Sequence, residues 1–204
     1  MLKIHDVHFS YNNRPLLSGL CLELEQGDIV AITGPSGCGK STLLQLIVGS
    51  LEPQLGKITQ QALVSYMTQQ PLLLPWKTLE ENLCFAKDLS KKVSSLSCQE
   101  ALDLVDLSGK GSLYPHQLSG GMRQRAFLAQ VLLFDRPILL LDEPFSALDL
   151  ITKQKIIQRL TEFFSKKQKT VIIITHQLKE LAPFYPQHYL LDQGQLTLKS
   201  EAVF

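Results

Sequence analysis

Gly34-Pro35-Ser36-Gly37-Cys38-Gly39-Lys40-Ser41-Thr42 follows the apolar run Ile29-Val30-Ala31-Ile32-Thr33 and spells G-x-x-x-x-G-K-[ST] without interruption. The run reads as a buried strand, and Lys40 to Val48 as a helix whose N-terminus points back at the turn. That is the context a phosphate-binding loop requires. Glycines let successive backbone N–H groups face one anion, and the helix dipole adds partial positive charge at the same place. All residues from Gly34 to Thr42 are therefore candidate nucleotide contacts. Lys40 is expected to reach the β- and γ-phosphates, and Ser41 to offer its hydroxyl to Mg²⁺. A chance turn of this composition arises about once per hundred chains of this length, and the flanking strand and helix make it rarer still. Cys38 reads either as a reactive thiol beside Lys40 or as a small filler.

Outward from the loop, Leu2 to Phe9 alternates apolar and polar residues, the period of a half-exposed strand, and Leu20, Leu22 and Leu24 repeat it. Gly56 to Thr59 and Ala62 to Met67 read as short strands. Pro137 to Leu141 and Thr170 to Thr175 are continuously apolar, as parallel strands covered on both faces by helices are. Leu79 to Asp106 reads as a small helical insertion, broken at Ser94-Ser95 and Gly109 to Gly111. Met122 to Phe134 and Lys153 to Phe164 read as amphipathic helices that cover the sheet. The last thirty residues, with Pro183, Pro186 and Gly194, read as one helix and a closing hairpin. The expected fold class is α/β, a P-loop core of mainly parallel strands flanked by helices, with an antiparallel β part and a helical subdomain. Residues 1–70 and 117–204 form the core and 71–116 the helical subdomain of a single domain.

Composition narrows the function. The 204 residues are 45% apolar, enough for one substantial core, and a net charge of +1 from 20 Lys+Arg against 19 Asp+Glu leaves no global attraction for nucleic acid or an acidic membrane. Four cysteines with no C-x-x-C pair argue against a zinc site and a disulfide framework, and favour a reducing compartment. No leader-like or membrane-spanning stretch is present in the sequence, so a membrane process would use this chain as a soluble subunit.

A second acidic motif, Asp142-Glu143-Pro144, closes the run Ile138 to Leu141. Loops at the carboxyl ends of parallel strands converge on one crevice, so both acids are expected beside the phosphate loop. Asp142 would support Mg²⁺ through water, and Glu143 would orient and deprotonate the water that attacks the γ-phosphate.

Leu118-Ser119-Gly120-Gly121-Met122-Arg123-Gln124-Arg125 adds a second anion-binding helix start, with Ser119 as the cap and Gly120 and Gly121 allowing close backbone approach. One nucleotide rarely needs two such cradles. This octapeptide resembles the signature of the ATP-binding cassette (ABC) family, and the remaining motifs fall in that family's order along the whole chain. The resemblance implies ATP and Mg²⁺ as ligands. It also implies a head-to-tail dimer in which the signature of one copy closes over the γ-phosphate held by the other. By the same resemblance Tyr11 stacks on adenine, and Gln69 touches Mg²⁺ and the attacking water. Asp149, in Ser146-Ala147-Leu148-Asp149, belongs to the loop that communicates across the dimer, while His176 contacts the γ-phosphate and positions Glu143. Gln70, Gln130 and Gln177 stand where many family members carry an acid, an arginine and an aspartate.

Pro71 to Leu83, with Leu72-Leu73-Leu74-Pro75-Trp76, is similar to the pattern in importers of nitrate, sulfonates, taurine and thiamine precursors. Trp76 reads either as core of the insertion or as part of an exposed docking surface. The resemblance implies membrane permease subunits docking near Gln69 to Leu83 and an extracytoplasmic solute-binding protein. The expected place is the cytoplasmic face of the inner membrane, held peripherally, with no nucleic-acid partner. The chain stops soon after the fold closes, which predicts no C-terminal regulatory domain. Alternatives are a soluble repair- or translation-type ATPase of the same family, an exporter or lipoprotein-release subunit, a P-loop kinase or GTPase, and a non-hydrolysing assembly subunit.

Overall fold

The computed structural model describes residues 1–89 and 95–199. Strands β1 (Leu2–Tyr11) and β2 (Arg14–Leu24) pair antiparallel, and β4 (Leu55–Gln60) pairs with the other edge of β1 to give a sheet of order β2-β1-β4. The second sheet has the order β5-β6-β7-β3-β8-β9, from β3 (Ile29–Thr33), β5 (Val64–Met67), β6 (Ile138–Asp142), β7 (Thr170–Ile174), β8 (Gln187–Asp192) and β9 (Gln195–Leu198). Its first five strands run parallel and β9 closes it as an antiparallel hairpin partner of β8.

Every residue of β6 and β7 is buried, as their unbroken apolar sequences predict. Alternate side chains serve two different cores. Val30, Ile32, Ile138, Leu140, Ile172 and Ile174 face α1 (Lys40–Val48) and the apolar face of the antiparallel sheet. Ala31, Leu139, Leu141, Val171 and Ile173 face the opposite way, into a core shared with α2 (Leu79–Leu89), α3 (Cys98–Leu104), α4 (Gly120–Leu133) and α5 (Leu150–Lys167). The sheet is therefore not covered by helices alone: on one side α1 shares the work with β1 and β2, whose alternating leucines supply the apolar face. Leu43, Leu44, Leu46 and Ile47 of α1 are fully or nearly fully buried, each contributing about 1.5–3 kcal/mol by leaving water.

Most elements overlap the sequence reading with shifted ends. The break expected at Ser94-Ser95 falls partly outside the described residues, since Ser94 lies there. The helix expected near the C-terminus is instead a 3₁₀ stretch, Leu178–Phe184, with bonds of the tighter kind from Glu180 N–H to the Gln177 carbonyl and from Tyr185 N–H to the Ala182 carbonyl. Pro183 lies inside it and Pro186 follows it, removing donors and steering the preceding residues away from α geometry. Among the described residues no helix is long and apolar enough to cross a membrane.

Candidate nucleotide site

The site forms along the carboxyl edge of the parallel strands. β3 ends at Thr33 and hands the chain to the glycine-rich loop and α1. Gly39 caps α1 in the left-handed region, φ 107°, with no side-chain cap, and no acid occupies the first turn. The first N–H groups of a helix lack intrahelical partners, so those of α1 remain directed toward the loop. Gly34 is required for space as well as conformation: at φ 155° a Cβ would stand 2.1 Å from the Leu191 carbonyl oxygen. The ammonium of Lys40 is buried and donates to the carbonyl oxygens of Gly34 and Pro35, each at 2.8 Å, spanning the loop. Cys38 Sγ lies 3.9 Å from that ammonium. Tyr11 and Leu16, from the antiparallel sheet, line a cavity of about 290 Å³ together with Gly37, Gly39, Lys40, Ser41 and Thr42. Tyr11 is half-exposed there, held edge-on against Phe9 at 4.9 Å between ring centres.

β6 and β7 bring the acids and the histidine. Asp142 is the last residue of β6 and pairs in register with Ile174, the last of β7. Burial raises the Asp142 carboxyl above its ordinary pKa, opposed by a hydrogen bond from Ser41, the positive charge of Lys40 and the nearby His176 imidazole. Glu143 sits in the left-handed region at φ 52° and donates its N–H to the Ile174 carbonyl at 3.1 Å. His176 Nε2 lies 3.1 Å from Glu143 Oε1. The pair is an ion pair only when the imidazole carries a proton, and buried Oε1 has no aligned hydrogen-bond partner. Burial also raises the Glu143 pKa, with His176 opposing and Asp142 adding to the shift. A second cavity of about 170 Å³ opens between these residues, lined by Glu143, Phe145, Ser146, Thr175, His176 and Gln177 among others. Gln69 lies exposed two residues past the end of β5, which is the strand next to β6.

Two expected contributors are helix caps. Ser119 caps α4, its hydroxyl accepting the Met122 N–H at 3.2 Å, with Gly120 and Gly121 as the first helical residues. Asp149 caps α5, accepting the Thr152 N–H at 3.0 Å, and those hydrogen bonds hold its carboxyl below the usual range. Neither lines the two cavities described. Gly121 does touch the loop that follows Glu143: a Cβ there would stand 2.7 Å from the Ala147 carbonyl oxygen.

Gln124, inside the signature octapeptide but given no role there, is a buried polar residue that holds the turn carrying Glu143. Buried on α4, it donates to the Glu143 carbonyl at 2.5 Å and to Ser146 Oγ at 3.3 Å, and accepts the Ala147 N–H at 3.3 Å. Asn82 does the same for a different loop. Fully buried on α2, it accepts the Leu74 N–H at 2.7 Å and donates to the carbonyls of Leu74, Lys77 and Thr78. It thereby stakes down the Pro71–Thr78 loop, on which Leu72 and Trp76 are 65% and 71% exposed. Trp76 is therefore not core of the insertion. An amide on an otherwise apolar helix face was the available sequence signal in both cases.

The donor set suits Mg²⁺ nucleotide. A serine hydroxyl hydrogen-bonded to a buried carboxylate offers hard oxygen ligands, and no cluster of three or more His, Cys, Asp or Glu fit for a metal exists among the described residues. An ion there would complete its shell with phosphate oxygens and water, as Mg²⁺ does. The unpartnered Glu143 oxygen fits a water to be activated.

The sequence profile of the ABC transporter family matches residues 17–146. The aliphatic sulfonates import ATP-binding protein SsuB 1 of Shouchella clausii is 34% identical, over 96% of this chain and 78% of that protein. The formylaminopyrimidine import ATP-binding protein ThiZ of Halalkalibacterium halodurans is 38% identical, over 88% of this chain and 75% of its own length. Among solved structures, the dimeric post-hydrolysis state of the ATP-binding cassette MJ0796 with ADP and Pi superposes over the full length of both chains, TM-score 0.87, at 27% identity. The chain belongs to the ABC transporter family. Within it, the chain is an ATP-binding subunit with the P-loop ATPase fold.

Proposed function

We propose that two copies of this chain enclose two MgATP and use their hydrolysis to drive uptake of a small solute through membrane subunits. The observation that carries the reading is the convergence of Lys40, Ser41, Asp142, Glu143 and His176 on one strand edge, with Glu143 Oε1 buried and unpartnered. Lys40 and the N–H groups of Gly34 to Thr42 hold the phosphates, and Tyr11 offers its exposed ring to the base. Ser41, Asp142 and Gln69 hold Mg²⁺, which when bound neutralises phosphate charge. Glu143 accepts a proton from the attacking water, and its raised pKa brings it closer to the pH at which a general base works well. His176 fixes the Glu143 carboxylate and faces the γ-phosphate.

Ser119, Gly120 and Gly121 serve the other copy's nucleotide, in keeping with their absence from the lining of this chain's own two cavities, and Asp149 serves the same dimer face. Residues 71–116 act as the subdomain that carries closure to the membrane subunits, and the exposed Leu72 and Trp76 within Gln69 to Leu83 suit an apolar helix docking in a groove. The relatives' import of sulfonates and formylaminopyrimidine points to a small organic solute, delivered by an extracytoplasmic binding protein. The working place is the cytoplasmic face of the cell membrane.

Phosphate release from MgATP by the purified chain, alone and with its permease in vesicles, tests the reading. Turnover is expected in both and stimulation by permease in the second; a Lys40→Ala variant should show neither. Wild-type protein that binds MgATP but releases no phosphate, with or without permease, would leave only an assembly role.

A further inference from the structure

Cys84 and Cys98 are 14 positions apart, on different helices, yet their sulfurs lie 3.4 Å from each other. Both are free thiols, Cys84 exposed on α2 and Cys98 partly covered at the first turn of α3. Spacing alone gave no reason to pair them, because helix packing brings them together. A disulfide needs about 2.05 Å between sulfurs, so closing the pair takes a shift of little more than 1 Å, within reach of side-chain rotation and a small slide of one helix.

We propose that Cys84 and Cys98 form a dithiol modification site that a peroxide closes to an intramolecular disulfide, pinning α2 to α3. The roles follow from their surroundings. Cys84 is the sulfur open to solvent. Cys98 is pushed up to about 11 by burial and by its hydrogen bond to Cys84, with Lys87 opposing and Glu80 adding to the shift, so it keeps its proton until attack. Cys84 thiolate attacks one peroxide oxygen and breaks the O–O bond, giving a sulfenic acid and hydroxide. Cys98 then loses its proton and attacks that sulfur, forming S–S and releasing the sulfenic oxygen as water. Two thiols lose two electrons and the peroxide is reduced to two waters. The inference is independent of the transport reading, since it depends only on the two sulfurs.

The test is peptide mapping of the full chain after brief hydrogen peroxide treatment, quenching and alkylation. Trypsin places Cys84 in residues 78–87 and Cys98 in 93–110. The expected product is those two peptides joined, two hydrogen masses lighter than their sum and separated by reductant, with Cys21 and Cys38 still alkylated. Cys84→Ser should abolish the joined peptide and leave Cys98 alkylated; Cys98→Ser should abolish it and leave Cys84 oxidised to its sulfenic or sulfinic form. The proposal is overturned if wild-type Cys84 and Cys98 both remain alkylated, if Cys84 over-oxidises while Cys98 stays free, or if either pairs instead with Cys21 or Cys38.

Discussion

Gln124 on the signature helix donates its side-chain amide to the Glu143 carbonyl at 2.5 Å, while its oxygen accepts the Ala147 N–H at 3.3 Å. One buried amide thus ties the helix that begins at Ser119 and Gly120 to both ends of the turn that carries the proposed base. Glu143 is held in a left-handed backbone conformation there, and only surrounding structure keeps a non-glycine residue in that region. Gln124→Ala is expected to lower kcat about tenfold to a hundredfold by letting the carboxylate wander, with the KM for ATP little changed. Steady-state ATPase kinetics beside nucleotide binding by fluorescence check this. An equal loss in binding would assign Gln124 to the pocket rather than to the turn.

Gly121 packs directly against Ala147, so Gly121→Ala should push the signature away from that turn. Each copy should still bind MgATP through Lys40, but closure of the pair and hydrolysis should fail. Isothermal titration together with sedimentation separates the two effects.

The raised pKa values of Asp142 and Glu143 make a statement about stability. A carboxyl that binds its proton more tightly when folded favours the folded chain below its ordinary pKa and loses that advantage as pH rises through the shifted value. Above the shifted values both groups lose their protons in a largely desolvated place, which costs stability without nucleotide. Glu143→Gln should therefore unfold at a higher temperature than the parent at pH 7, with the difference shrinking as pH falls toward about 4. Thermal melts of nucleotide-free protein across pH 4.5 to about 8 measure it.

Asn82 accepts the Leu74 N–H and shares its two amide hydrogens among the carbonyls of Leu74, Lys77 and Thr78. Asn82→Ala strips a buried N–H and carbonyls of partners and should cost about 1–3 kcal/mol. It should also let the loop bearing Trp76 move. The expected outcome is unchanged ATP affinity with weakened stimulation by permease, read by ATPase assays with and without membrane subunits.

Much of this was legible from spacing. The loop at Gly34 to Thr42, the buried runs ending at Asp142 and Ile174, and the cap at Ser119 are each local patterns whose chemistry follows from adjacent residues. What escaped depends on tertiary packing. Gln124 and Asn82 read as ordinary polar residues on helices until the turns they hold are in place. The two cysteines read as scattered because α2 and α3 must pack before their sulfurs touch. The second face of the parallel sheet read as helix-covered, since nothing local in β1 and β2 announces that their alternating leucines close over α1. Near the C-terminus, Pro183 converted an expected helix into a tighter one by removing a donor.

The central claim is that two copies close around shared nucleotide. Glu143→Gln, which keeps the shape of the site but cannot take the proton, should remain monomeric without nucleotide and sediment as a dimer in saturating MgATP. A variant that binds MgATP and stays monomeric, even with its permease supplied, would contradict the account.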